Sequence, residues 1–194
     1  MDFDGSKHFK MPSGNYFDFN TFEGYISLSD IANGLSKLCR WAGGMPGIYS
    51  VAEHSVLCSY QVPRQYALCA LMHDASEFVL GDLPRPVRRL MPEYCAMEQD
   101  IMHHLAADFG FCWPMPGVVK AADDLLLHCE GVDFFGEWGE FDKEWREAMT
   151  GDIVLNKWPH DMAYTKFMDR AHEIMGWGLN NPAAAGFAGS ADGL

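Results

Sequence analysis

Apolar positions recur at helical spacing along most of the chain, and the breaks between them carry Gly, Pro or a capping residue. Ile31, Leu35 and Leu38 mark a first helix that Ser27 or Ser29 can cap and that Trp41-Ala-Gly-Gly-Met-Pro ends. A second helix starts at Ser50, where Ser50 and Glu53 have the S-x-x-E spacing of a reciprocal capping box. Pro63 suits the first turn of a third, and Tyr66, Leu68, Cys69, Leu71, Met72, Phe78 and Val79 make that helix apolar on most sides, which predicts a central position. Gly81-Asp-Leu-Pro-Arg-Pro breaks it, and Val87 to Met91 form a short turn or helix. Pro92 opens a long helix through Met97, Ile101, Leu105 and Ala106 that stops before Gly110. Val118, Val119, Ala122, Leu125 and Leu126 define another over 117–130, and the last spans about 163–175.

Residues 1–26 lack a helical period and read as an irregular arm, 133–160 as partly helical, and 179–194 as a flexible tail. With no internal repeat and no strand alternation, the pattern predicts an all-α fold: one helical-bundle domain over 27–178. A chain of 194 residues is long enough to bury its own core.

Composition narrows the function. Apolar residues make up 48% and charged residues 21%, and no run reaches the ~18 apolar residues of a membrane span, so a soluble protein without a membrane partner is expected. The acidic start Met-Asp-Phe-Asp-Gly lacks a signal pattern, which predicts a cytoplasmic location. Cys39, Cys58, Cys69, Cys95, Cys112 and Cys129 form no C-x-x-C pair and are expected to be reduced core thiols. A net charge of −13 argues against a nucleic-acid polymer as partner. A small phosphorylated ligand needs only a local basic patch, and Arg85, Arg88 and Arg89 lie together in one short segment.

The candidate chemistry starts from His73-Asp74 inside the most apolar stretch, because a buried carboxylate is costly unless something positive compensates it. His54 on the preceding helix and Asp123 beside Ala122 can complete a shell of two imidazoles and two carboxylates. Such a set suits Mn²⁺, Fe²⁺, Co²⁺, Ni²⁺ or Zn²⁺ with positions left for water and phosphate. On these residues alone a buried, hydrogen-bonded His–Asp pair is an equally good reading. Asp124 is the alternative to Asp123. Glu77, four residues after His73, is expected on the same face one turn later, and Asp82 either acts at the site or caps the turn before Pro84. Arg85, Arg88, Arg89 and Lys120 are candidates for a phosphate tail, since guanidinium forks match phosphate oxygens; a solvated basic face is the competing reading. His103, His104 and His128 lack flanking ligands and receive no role.

The stretches Asp30-Ile-Ala-Asn-Gly-Leu-Ser-Lys-Leu-Cys-Arg, Tyr49-Ser-Val-Ala-Glu-His-Ser-Val, Ala70-Leu-Met-His-Asp-Ala-Ser-Glu, Gly81-Asp-Leu-Pro-Arg-Pro-Val and Lys120-Ala-Ala-Asp occur in the order H…HD…D. From about Ser13 to Met175 the chain resembles small HD-domain phosphohydrolases of phages and bacteria. The resemblance reaches bacterial 5′-deoxynucleotidases and, more closely, phage dATP triphosphohydrolases that remove dATP so that diaminopurine can replace adenine in DNA. It implies His54, His73, Asp74 and Asp123 as metal ligands. It also implies Glu77 as the group holding the attacking water, Asp82 as proton carrier, and Arg40 and Trp41 as an Arg-aromatic pair facing sugar and base. A surface Arg beside a core Trp is the competing reading of that pair.

The expected reaction is hydrolysis of dATP to deoxyadenosine and triphosphate, with a transition metal at the site and additional Mg²⁺ or Mn²⁺ on the phosphates. A 5′-deoxynucleotidase acting on a dNMP is the alternative, and a non-enzymatic nucleotide-binding HD protein a third. Homo-oligomers, including hexamers, are implied by the relatives and by apolar surface at the aromatic residues of 134–145.

Overall fold

The computed structural model describes residues 4–136 and 153–176. Its described part is mostly helical, with one small sheet at the N-terminal end. Three short strands, β1 (His8–Lys10), β2 (Tyr16–Asp18) and β3 (Glu23–Gly24), pair antiparallel in that order, so that Phe9 faces Phe17 and Phe17 faces Gly24. This corrects the irregular arm expected over 1–26. The strands are two or three residues long, too short for period-two alternation to stand out. Phe17 anchors the sheet to the domain: it is fully buried and meets the edges of Phe19 and Phe22. Gly24 is required there, because a Cβ would lie 2.2 Å from the Tyr16 carbonyl oxygen.

The first two helices start as their sequences predict. Helix α1 (Leu28–Lys37) is capped by Ser27, whose hydroxyl accepts from Asp30 N while the Asp30 carboxylate accepts from Ser27 N. Helix α2 (Val51–Tyr60) begins at Ser50, whose hydroxyl accepts from Glu53 N. Only half of that box forms. The buried Glu53 carboxylate turns away to accept from the backbone N–H groups of Asn156, Lys157 and Trp158 at 2.6–3.0 Å, tying a distant loop to α2.

The long third helix expected from Pro63 to Val79 is instead broken. A 3₁₀ turn (Arg64–Tyr66) leads into α3 (Ala67–Leu71), five residues of tight turn follow, and α4 (Glu77–Leu80) resumes. The break has a side-chain cause. Nδ1 of His73 lies 2.8 Å from the Ala70 carbonyl oxygen, the acceptor that Asp74 N–H would use in a continuous helix. The backbone then tightens, with Ala75 N bonded to Met72 O and Glu77 N to Asp74 O.

Gly81, at φ 84°, ends α4; α5 (Arg85–Arg88), α6 (Pro92–Phe109) and α7 (Gly117–Phe135) follow, α7 running about a turn beyond the expected limit. Helix α8 (His160–Met175) packs on α1, α2 and α3. Helix α1 also crosses α4, and Gly34 makes this possible: a Cβ there would lie 2.8 Å from Cβ of Phe78. Between these helices sit Ile31, Leu35, Leu71, Ile101, Leu126 and Phe167, each worth about 1.5–3 kcal/mol when fully buried.

The six cysteines form no disulfide with one another, and only Cys58 and Cys69 are core thiols; Cys112 is exposed and the other three are half-buried. No described helix is long and apolar enough to cross a membrane. The expected tail over 179–194 and most of the aromatic stretch at 134–145 lie outside the described residues.

Candidate metal centre

Four elements converge on one buried point. Helix α2 carries His54, the tight turn after α3 carries His73 and Asp74, α7 carries Asp123, and the 3₁₀ turn Arg40–Gly43 closes the wall. The Nε2 atoms of His54 and His73 are 3.2 Å apart. Asp123 Oδ1 lies 3.3 and 3.9 Å from them, and Asp74 Oδ2 3.8 and 3.1 Å. His54, His73 and Asp123 can therefore hold a metal ion: their donor atoms all lie within 4.8 Å of one another. Asp74 flanks this trio and also pairs with Arg40 Nη1 at 3.5 Å. Asp124 turns outward, 42% exposed, to Lys120 and Arg85.

The donor chemistry supports the same assignment. Nδ1 of His54 is 2.6 Å from a Glu130 carboxylate oxygen, and Nδ1 of His73 is 2.8 Å from the Ala70 carbonyl. Both acceptors lack a proton, so each imidazole carries its hydrogen on Nδ1 and presents an Nε2 lone pair to the other. Two lone pairs at that distance repel unless a proton or a cation lies between them. Two nitrogens about 2.0–2.1 Å from one ion subtend roughly 2.9–3.4 Å at octahedral to tetrahedral angles, which brackets the observed 3.2 Å.

The charges respond accordingly. Burial and the Arg40 charge disfavour a charged His54, but the Glu130 and Asp123 carboxylates outweigh them and raise its pKa to about 9. Burial opposes ionisation of Asp74, Asp123 and Glu130 too. Facing imidazoles nevertheless hold Asp74 at about 2 and Asp123 well below the usual carboxylate range, and Arg40 with His54 holds Glu130 at about 2.

Glu130 was not singled out from sequence, yet it organises the inner wall. It is fully buried; one oxygen takes His54, and the other accepts from Arg40 Nε at 3.1 Å and Trp41 Nε1 at 2.9 Å. Its signal was available: it follows Asp123 by seven residues, two helical turns, and so shares its face. Arg40 is not a surface residue, being buried between Glu130 and Asp74.

A cavity of about 340 Å³ opens from Asp74 and Asp123 and is walled by Arg40, Trp41, Glu77, Asp82 and Arg85. One carboxylate oxygen of Glu77, Oε2, is buried without a protein hydrogen-bond partner. Burial first, then the Asp74 and Asp82 charges, pushes the Glu77 pKa well up, and burial does the same to Asp82. On the other side of Asp74 and Asp123 lies a cavity of about 460 Å³ edged by Arg85, Arg88, Arg89 and Lys120. Three of those cations are engaged in this state: Arg85 and Lys120 reach Asp123 and Asp124, and Arg88 is clamped to Glu98. Another cavity, about 870 Å³ and lined by residues such as Tyr25, His104 and Met168, includes none of the residues around the metal-ligand group. His104 packs on Phe17 and Phe22 and pairs with Asp108.

No family model matches the sequence. Over 167 residues the chain is 37% identical to the uncharacterized protein YfdR of Escherichia coli (strain K12), covering 84% of this chain and 92% of YfdR. It is 34% identical over 125 residues to the uncharacterized protein RCAP_rcc00048 of Rhodobacter capsulatus, covering 57% of this chain and 64% of that one. At that identity and coverage, the chain belongs to the family of YfdR.

Proposed function

We propose that this protein is a divalent-metal-dependent phosphohydrolase of the HD type, with His54, His73, Asp74 and Asp123 as ligands, acting on a deoxynucleoside triphosphate, dATP first among them. The supporting observation is the pair of imidazoles whose Nδ1 atoms are both committed while their Nε2 atoms face each other beside two carboxylates, at the mouth of a cation-edged cavity. The HD assignment and dATP rest on the resemblance of the H…HD…D order. An ion held there lowers the pKa of water and offsets phosphate charge; Mn²⁺, Fe²⁺, Co²⁺, Ni²⁺ or Zn²⁺ suits the ligand set.

The chain's own residues supply the rest. Glu77 lines the cavity beside Asp74, where its carboxyl group is placed to orient the water that attacks the α-phosphorus. Cleavage of the P–O5′ bond leaves the water oxygen on triphosphate and requires one proton at O5′. Asp82, whose carboxyl burial shifts toward the protonated form, is placed to deliver it. Arg40 and Trp41 form the wall for sugar and base, and Arg85, Arg88 and Lys120 rim the exit toward the phosphates, where Mg²⁺ or Mn²⁺ can accompany the tail. Self-association, up to the hexamers that the HD resemblance implies, fits the apolar surface of Val87 on α5, Leu90 and Met91 in the turn that follows and Met97 on α6, Leu90 being 81% exposed.

A second reading, a 5′-deoxynucleotidase acting on dNMPs, is favoured by one observation: Arg85 and Lys120 are already occupied by Asp123 and Asp124, so a phosphate tail must displace those pairs. A purely binding protein gives no reason for the unpartnered buried carboxyl of Glu77. The deciding measurement is kcat/KM for dATP against dAMP with Mn²⁺ or Co²⁺, with chromatography of the phosphate product. Triphosphate from dATP is expected, and Arg85→Ala should weaken dATP roughly a hundredfold relative to dAMP, the worth of about two charge-assisted hydrogen bonds. Orthophosphate from dAMP at equal or better efficiency establishes the nucleotidase.

A further inference from the structure

Glu130 meets two groups of residues that the proposed reaction uses separately. On one side its Oε1 holds Nδ1 of His54 at 2.6 Å. On the other, Oε2 accepts from Trp41 Nε1 at 2.9 Å and from Nε and Nη2 of Arg40, both at 3.1 Å. The carboxylate has no exposed surface, so no water shares these bonds.

The wall it holds is under backbone strain. Trp41 at φ 58°, ψ 32° and Ala42 at φ 52°, ψ 30° are consecutive non-glycine residues in the left-handed region. Such a conformation persists only where surrounding contacts over-determine it. Those contacts are the indole bond to Glu130, the edge-on packing of Trp41 against Phe135 and the bond from Arg40 N to Tyr49 O.

We propose that Glu130 is a positioning residue that ties the metal centre to the nucleoside-facing wall: one carboxylate oxygen fixes the His54 tautomer, and the other fixes Arg40 and Trp41. The metal half of this inference rests on the proposed function; the tie itself is a property of the metal-free protein. A carboxylate accepts through both oxygens at once, which an amide cannot do. Glu130→Gln must therefore turn its NH₂ toward either the imidazole or the guanidinium and indole. Outer partners of a metal-ligating His typically contribute 10–100-fold to metal affinity.

The test uses the full-length protein and two readouts besides turnover. The first is the Co²⁺ dissociation constant by chelator competition. The second is the indole N–H resonance of Trp41 in ¹⁵N-labelled, metal-free protein, assigned by its disappearance in Trp41→Phe. Glu130→Gln should weaken Co²⁺ roughly 10–100-fold and shift the Trp41 signal upfield, as a charge-assisted bond is lost. Should that variant not fold, Glu130→Asp carries the test, because it keeps the charge but is one methylene too short to span both groups. A folded variant with Co²⁺ affinity within about twofold of wild type and an unmoved indole signal overturns the proposal and leaves the metal reading standing. Wild-type protein that takes up no Co²⁺ overturns the metal reading itself, visible before any variant is made.

Discussion

On its inner side the site is closed by His54 and Glu130, neither with any exposed surface, whereas its outer side is rimmed by Arg85, Arg88 and Lys120, whose side chains are 43%, 40% and 54% exposed. Both sides are dense in charge, but they resolve it differently. Inside, buried partners satisfy one another, Glu130 serving His54, Arg40 and Trp41 together, so tautomers and rotamers are fixed before any ligand arrives. Outside, Arg85 and Lys120 share Asp123 and Asp124, an arrangement that solvent weakens and a phosphate can replace. On the proposed function, the difference separates residues that would set the chemistry from residues that would tune which phosphate is taken.

The sharpest way to break this contrast is on the inner side. Asp74→Ala is expected to abolish both metal uptake and turnover, because it removes a carboxylate 3.1 Å from His73 Nε2 and leaves Arg40 Nη1 without it. Metal content by mass spectrometry decides it. A variant that keeps one tightly bound ion and near-normal turnover removes Asp74 from the centre.

Between the two sides sits Glu77. Glu77→Gln is expected to retain the metal and lose about 10²–10⁴ in kcat, the usual contribution of one acid–base group. Unchanged kcat in metal-replete protein makes Glu77 structural.

How much of this was legible in sequence follows the same division. His54, His73, Asp74 and Asp123 stand out because charged and imidazole groups in apolar stretches need a reason, and the structure brings all four together. Glu130 passed as the end of a helix, although its seven-residue spacing from Asp123 marked it. The unbroken third helix was misread for a physical reason: apolar period records which face is buried, but not that the His73 ring takes the Ala70 carbonyl and breaks the ladder. The half-formed box at Ser50 is similar, as the Glu53 carboxylate serves a loop more than a hundred residues away. Such long-range competition leaves no local pattern to read.

A smaller effect concerns pH in the metal-free protein. His54 is raised to about 9, so its stabilisation is fully present below its ordinary value near 6.5 and is lost as pH rises through about 9. Glu77 acts in the same direction: burial raises its pKa, and a raised carboxyl pKa likewise costs stability as pH rises. Tm in excess chelator should therefore fall by several degrees between pH 6.5 and 9.5. Added Co²⁺ should flatten that fall, with the ion replacing the proton between the imidazoles. A chelated protein equally stable at both pH values contradicts the inner-side account.

The smallest effect is expected on the outer side and tests whether the partition runs between two adjacent residues. Asp123 and Asp124 differ by one position, yet Asp123 Oδ1 lies 3.3 Å from His54 Nε2 while Asp124 reaches only Arg85 and Lys120. Asp124→Asn removes a charge from pairs that are each more than 40% exposed, and exposed pairs of this kind contribute about 0–1 kcal/mol. Stability should change by no more than that, metal affinity should hold, and dATP should bind as well or slightly better, because Arg85 and Lys120 lose a competitor for phosphate. Asp123→Asn in the same assay should lose the metal. If instead Asp124→Asn releases the ion and Asp123→Asn keeps it, the ligand on α7 is the neighbouring residue and the outward turn of Asp124 belongs to the metal-free state alone.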